Sequence, residues 1–366
     1  MSTLATSMAC RQPGWPPFAV PCRNIRKPPS RCGVEGYAAH QCASAECLDM
    51  KILIIGAGAV GQVYALHLSK AGHDVSFFAK RKYAGELRAG LTLHRLRRGG
   101  HATERLQGFG IVTSPEAVAA GTWDQVWITL SSDALRGELA GQVLAAVGMA
   151  TVITLQPTMA DGQFVHGIVP PAQIVHGSVP FISFQSPLPG CDGPNGMAYF
   201  LPPLRPTMLA GPSARVAPAI AALRRGGLRA RRVRDLDRAV AVNIAMGQAL
   251  IPTLEANQWR LSGLSGTPAL AHGLAAAREA VAAVAAETGA STLFLKPLLT
   301  PLAWRLLLPV APCLVPFNLE TFLRYHFSKL GAQTQVVIDG YIDLSIKHSL
   351  PADALVALRR ALPQPS

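Results

Sequence analysis

The chain has 366 residues, 49% of them hydrophobic and 15% charged, which supplies apolar material for a large soluble core and two domains. Its seven cysteines exclude a disulfide framework, because five precede Met50 and only Cys191 and Cys313 follow it, a distribution that suits a reducing cytoplasm. The formal charge of +13 collects in runs such as Lys80-Arg81-Lys82, Arg95-Leu96-Arg97-Arg98 and the arginines of 224–238. No aromatic platform or recognition-helix signal accompanies these runs, so they read as a solvated basic face and not as a nucleic-acid surface.

Residues 1–49 carry prolines and scattered arginines without apolar periodicity or the hydrophobic region of a secretory signal, and are expected to be a disordered leader upstream of a start at Met50, with a targeting or metal-binding leader as the lesser alternative. From Lys51 short apolar runs alternate with amphipathic stretches: strand 51–55, helix 60–71, then strands 75–79, 123–130, 151–155, 174–178 and 228–233. Such alternation predicts an α/β fold with a Rossmann-like, doubly wound and mainly parallel sheet over 50–235. An all-helical second domain is predicted over 236–366, including a helix at 268–287 with Thr267 as N-cap, Pro268 in its first turn and Gly289 past its end. The segment 299–317 has the apolarity of a membrane span but contains Pro301, Pro309, Pro312 and Pro316, each of which bends a helix. It reads as a buried, broken helical hairpin or a subunit interface, with a membrane-surface contact as the lesser alternative.

Gly56-Ala57-Gly58-Ala59-Val60-Gly61 fits GxGxxG, with a hydrophobic strand before it and a helix after it. Gly56 permits the tight turn, Gly58 lets the backbone approach a pyrophosphate, and Gly61 lets helix and strand pack closely; the helix N-terminus then faces the anion. An NAD-preferring site usually has a carboxylate at the end of the second strand. Here that strand runs into Lys80-Arg81-Lys82 with no acid, so NADP is the expected cofactor, with Lys80 on its 2′-phosphate and Ser131 among the cofactor contacts.

With these motifs in place, the chain from Met50 onward resembles the ketopantoate reductase (2-dehydropantoate 2-reductase) family, through 50–61 and through Ala71-Gly72-His73-Asp74-Val75. The resemblance implies reduction of a 2-oxo acid by NADPH in a cleft between a Rossmann domain and a helical domain. The family opens its second domain with KLxxNxxxNPL, in which a lysine donates a proton and asparagines orient substrate. Here Asn243 matches, while Ala239 stands at the lysine and Gly247 at the second asparagine. Gln156-Pro157-Thr158 occupies the place of an asparagine-glycine pair beside the nicotinamide, and the family's serine corresponds to Ser328. The family glutamate finds only Thr334 or Gln335, ahead of Asp339-Gly340. Candidate catalytic residues are therefore Arg238, Asn243 and Ser328, with His326 and Lys329 nearby.

No HExxH, GxSxG, Walker lysine or His/Cys cluster appears, so no metal is expected. The sequence thus points to a cytoplasmic NADPH-dependent oxidoreductase of a small 2-oxo acid or related carbonyl, acting alone or as a homodimer, without nucleic-acid or membrane partners. Two other readings stand beside it: an NADP(H)-binding protein without turnover, and a basic nucleic-acid or membrane-surface binder.

Overall fold

A computed structural model describes residues 49–156, 159–328 and 331–362. The leader up to residue 48, and with it Pro157, Thr158 and Lys329, lies outside the described residues. The strands are β1 (Lys51–Ile55), β2 (Asp74–Phe78), β3 (Leu91–Arg97), β4 (Gly100–Leu106), β5 (Gly110–Val112), β6 (Gln125–Ile128), β7 (Thr151–Thr154), β8 (Ile174–Gly177), β9 (Ile182–Ser186), β10 (Gly196–Phe200), β11 (Thr207–Ala210) and β12 (Ala230–Arg232). Helices α1 (Ala59–Lys70), α2 (Ala84–Arg88), α3 (Pro115–Ala119), α4 (Ser132–Leu135), α5 (Glu138–Ala145), α6 (Met159–His166) and α7 (Ser213–Arg225) connect them.

Eight strands form one sheet in the order β12-β11-β8-β7-β6-β1-β2-β5. It is parallel throughout except that β11 runs against β8 and takes β12 with it. β1 is apolar along its whole length because both of its faces are covered. Ile52 and Ile54 pack with Val63, Tyr64 and Leu68 of α1 and Val216 and Leu223 of α7. Leu53 and Ile55 pack on the opposite side with Val118, Leu135, Val143 and Val165 from α3, α4, α5 and α6. A central strand buried on both faces loses the alternation seen in half-exposed strands.

A second sheet of four strands, in the order β4-β3-β10-β9, was not expected. β3 and β4 carry threonine, histidine and arginine on their outward positions, so the stretch reads from sequence as a basic run. Its turn is legible only afterwards, where Gly99 and Gly100 adopt φ of +85° and +151° between Arg97 and His101.

The helical half comprises α8 (Leu236–Ala256), α9 (Pro268–Thr288), α10 (Pro301–Val310), α11 (Leu319–Phe327), α12 (Gly331–Lys347) and α13 (Asp353–Ala361). Both α8 and α9 are long and apolar enough to cross a membrane, but they pack on each other in a separate core with Ile338 and Leu355. Small residues permit the close approach. A Cβ at Gly273 would fall on the Thr253 hydroxyl, and Ala276, Ala277 and Ala280 are fully buried. The ends of α9 follow their residues: Thr267 accepts the Leu270 N–H at 3.2 Å, and Gly289 closes the helix at φ +67°.

The expectation of a buried hairpin at 299–317 requires correction. The segment is broken, since α10 passes through a short turn at Ala311–Leu314 and bends by 94° into α11. It is not buried: Leu302 is 67% and Leu306 66% exposed, and Leu308 is the only buried side chain of α10. Apolar composition fixes that a segment avoids charge; it does not fix which side of the segment meets the core.

Candidate functional site

Strand register builds the site. Ile55 lies beside Phe78 and Ile128, Ile128 beside Thr154, and Thr154 beside His176. The chain exits of β1, β2, β6, β7 and β8 therefore line up along one edge of the sheet, the edge where open α/β sheets hold ligands.

At the first exit, Gly56 turns the chain at φ +109° and donates its N–H to the Phe78 carbonyl at 3.2 Å. A Cβ there would lie 3.0 Å from the Thr129 hydroxyl. A Cβ at Gly61 would strike the Gly56 carbonyl and come within 2.7 Å of the same hydroxyl, so α1 sits directly against the turn. Gly58 is different. It is the N-cap of α1, its φ of −78° is ordinary, and a Cβ built on it meets nothing within 4 Å. No side chain caps α1 and no acid occupies its first turn, so its leading N–H groups face open space with the positive end of the helix dipole behind them. Ala57, Ala59 and Val60 complete this loop and first turn. These residues fit a pyrophosphate: the cradle is open where the ligand would lie and closed where helix and strand meet.

At the second exit, Ala79 donates to the Val112 carbonyl at 3.0 Å, and Lys80, Arg81 and Lys82 stand exposed beyond it. Lys82 lies 4.9 Å from the ring centre of Tyr83, and among the described residues none of the three cations meets a carboxylate. Two of the cations are thus fully available to a phosphate.

At the third exit, the Thr129 hydroxyl is placed on the carbonyls of Ile55 and Gly56, at 3.1 and 2.8 Å, and so ties β6 to the glycine turn. Sequence reasoning missed it, since a single threonine after a strand carries no signal of its own. Ser131 is the N-cap of α4, accepting the Ala134 N–H at 3.4 Å, and its exposed side chain lies on this edge. Next to it, Ser132 donates to the fully buried Asp161 at 2.7 Å, and Arg136 pairs with the same carboxylate at 2.6 Å. This triad, also unforeseen, fixes the start of α6 against α4 and hence the loops after β6 and β7.

Beyond the fourth exit the side-chain amide nitrogen of Gln156 is buried without a hydrogen-bond partner among the described residues. Beside the fifth, His176 and His166 meet Nε2 to Nε2 at 3.1 Å with stacked rings. Burial, then the neighbouring His166, hold His176 below the usual histidine range. Asp237, in the first turn of α8, feels His176 in turn: partial burial and Asp235 raise its carboxyl, and His176 opposes the rise. The start of α8 therefore stands near this edge.

On α8, Ala239, Asn243 and Gly247 follow at intervals of four and share one face. A Cβ at Gly247 meets nothing within 4 Å, so that face borders open space. Arg238 is exposed, with its backbone N–H capped by Asp235 at 3.0 Å. Ser328 ends α11 and is exposed, and its N–H bonds to the Arg324 carbonyl at 3.0 Å. His326 stacks on Phe322 at 5.4 Å between ring centres and meets Phe327 edge-on at 4.8 Å. Asp339 is held by Arg359 at 2.8 Å. Among the described residues no group of His, Cys, Asp or Glu side chains is placed to hold a metal ion.

Residues 52–190 match the family model described as ketopantoate reductase PanE/ApbA. Through that stretch the chain is similar to the ketopantoate reductase family. No curated protein sequence matches it. Among solved structures, a probable 2-dehydropantoate 2-reductase from Bacillus subtilis superposes with a TM-score of 0.60 at 16% identity, covering 86% of this chain and 99% of its own. A PanE/ApbA family ketopantoate reductase from Ralstonia eutropha gives 0.63 at 17% identity, covering 86% and 97%. D-mandelate dehydrogenase, solved with NADH and anilino(oxo)acetate, gives 0.63 at 15% identity with the same coverage. At these identities the likeness shows a shared fold: a Rossmann half followed by a helical half.

Proposed function

We propose that this protein binds NADPH and uses it to reduce a small 2-oxo acid or a related carbonyl compound. The observation that carries the reading is the uncapped N-terminus of α1 opening onto free space at Gly58, with Lys80 two residues past the end of the adjacent strand β2. Backbone N–H groups at Ala59 and Val60 hold the pyrophosphate, and Lys80 with Arg81 holds the 2′-phosphate. The buried, unpartnered amide of Gln156, just past the end of β7, is a donor available to the nicotinamide end. NADPH, when bound, supplies the hydride. Arg238 supplies a fixed positive charge for a substrate carboxylate, Asn243 donates to or accepts from the substrate across the open face of α8, and Ser328 offers a hydroxyl from the end of α11.

The missing lysine has a kinetic consequence. A positioned general acid contributes about 10²–10⁴ in rate, so turnover of ketopantoate itself is expected to be slow. Ala239 and Gly247 also motivate the second reading, an NADP(H)-binding protein without turnover. Fluorescence titration with NADPH, followed by NADPH oxidation against a panel of 2-oxo acids, separates the two. Binding with turnover of at least one acid supports the oxidoreductase; binding without turnover on any of them favours the sensor; no binding of either nicotinamide cofactor removes both.

A further inference from the structure

Among the described residues twelve large hydrophobic side chains are exposed, and seven of them fall between Leu293 and Leu314: Leu293, Phe294, Leu302, Leu306, Leu307, Val310 and Leu314. Within α10, Leu302, Leu306 and Val310 recur every four residues and form one outward stripe, while Leu308 anchors the opposite side. Isolated exposed leucines are normal on soluble proteins. Seven exposed apolar side chains within 22 residues, three of them in one helical stripe, mark a contact surface.

Charge selects the partner. No acidic residue occurs between Glu287 and Glu320, whereas Lys296 and Arg305 are exposed within the apolar stretch. Arg98, from the β3–β4 turn, reaches the same region and donates to the Cys313 carbonyl at 3.1 Å. A two-fold pairing of this face with a second copy would set these cations against themselves without a carboxylate to balance them. An anionic surface balances them directly.

Length selects the mode of contact. The ten residues of α10 extend about 15 Å, well short of the ~30 Å of a bilayer's hydrocarbon core, and the chain then bends by 94°. A short amphipathic helix lies in the interface with its apolar side immersed and its cations among the headgroups.

We propose that the face formed by Leu293, Phe294 and α10 docks on an anionic lipid bilayer as a peripheral contact. The test is flotation of the full chain with phosphatidylcholine vesicles, with and without phosphatidylglycerol, alongside sedimentation without lipid. Wild-type protein should float with the anionic vesicles and much less with the neutral ones. The pair Leu302→Glu and Leu306→Glu should lower the bound fraction about tenfold or more without changing the melting temperature, because both side chains are solvent-exposed. Arg305→Glu should lower it by a smaller factor, and added salt should weaken the binding without abolishing it. Three results would overturn the proposal: no flotation with anionic vesicles, equal flotation with neutral ones, or flotation that survives the paired leucine substitutions. A dimer that those substitutions dissolve, with no flotation by wild type, would assign the face to a second copy instead.

Discussion

Gly58 and Gly61 belong to one motif, yet their surroundings make opposite demands. A side chain at Gly58 projects into free space, so Gly58→Val should fold normally and lose NADPH binding, as read by fluorescence titration beside a thermal melt. At Gly61 a single added methyl group meets the Gly56 carbonyl, and Gly61→Ala should cost about 1–3 kcal/mol in chemical denaturation. Lys80 tests the phosphate. A charge-assisted hydrogen bond contributes about 1.5–3 kcal/mol, so Lys80→Ala should weaken NADPH about tenfold or more and leave NADH nearly unchanged. His67 adds a pH dependence of a different origin. It is buried under α7, donates from Nδ1 to the Gly226 carbonyl at 2.6 Å, and burial lowers its pKa from 6.5 to about 4. The unfolded chain therefore takes up a proton that the native state refuses. The stability tied to this ring is full above pH 6.5 and falls by about 3 kcal/mol as pH drops towards 4, which urea melts on wild type and His67→Gln would reveal as a flatter curve for the variant.

At the scale of elements, the parts legible in the sequence were those whose neighbours in the chain are also their neighbours in space. The glycine turn carries its strand and helix on either side, and α9 carries its own cap and stop at Thr267 and Gly289. The small sheet escaped because β3, whose threonine, histidine and arginines hide its strand character, pairs with β10, about a hundred residues later. The Ser132–Asp161–Arg136 triad escaped for the same reason: three unremarkable side chains on two helices become a unit only when β6 and β7 align. It has a measurable weight. Asp161 is fully buried while Arg136 is part exposed and can be solvated alone, so Asp161→Ala should cost about 1.5–3 kcal/mol in denaturant unfolding, the weight of hydrogen bonds to a charged group, and loosen cofactor binding through the displaced loops. The stretch around α10 shows the converse limit, where an apolar pattern was read correctly and its orientation was not.

At the scale of the whole molecule, a ligand that binds only the native state stabilises it. NADPH at a hundredfold excess over its dissociation constant should add about 2.7 kcal/mol and raise the melting temperature by several degrees, an effect expected to vanish in Gly58→Val. Such a ligand would lie between two halves that are joined at two places or more. One junction is the covalent passage from β12 into α8. The other lies in the small sheet, where Phe184 meets Phe317 and Phe322 at 5.2 and 5.6 Å between ring centres, with Arg98 latched to Cys313 close by. A body pinned at a single point can swivel in any direction, but a body pinned at two retains one rotation, about the line through both pins. Motion of the helical half against the sheet is restricted accordingly, and Phe184→Ala, which thins the second joint, should raise amide hydrogen exchange in α11 relative to wild type.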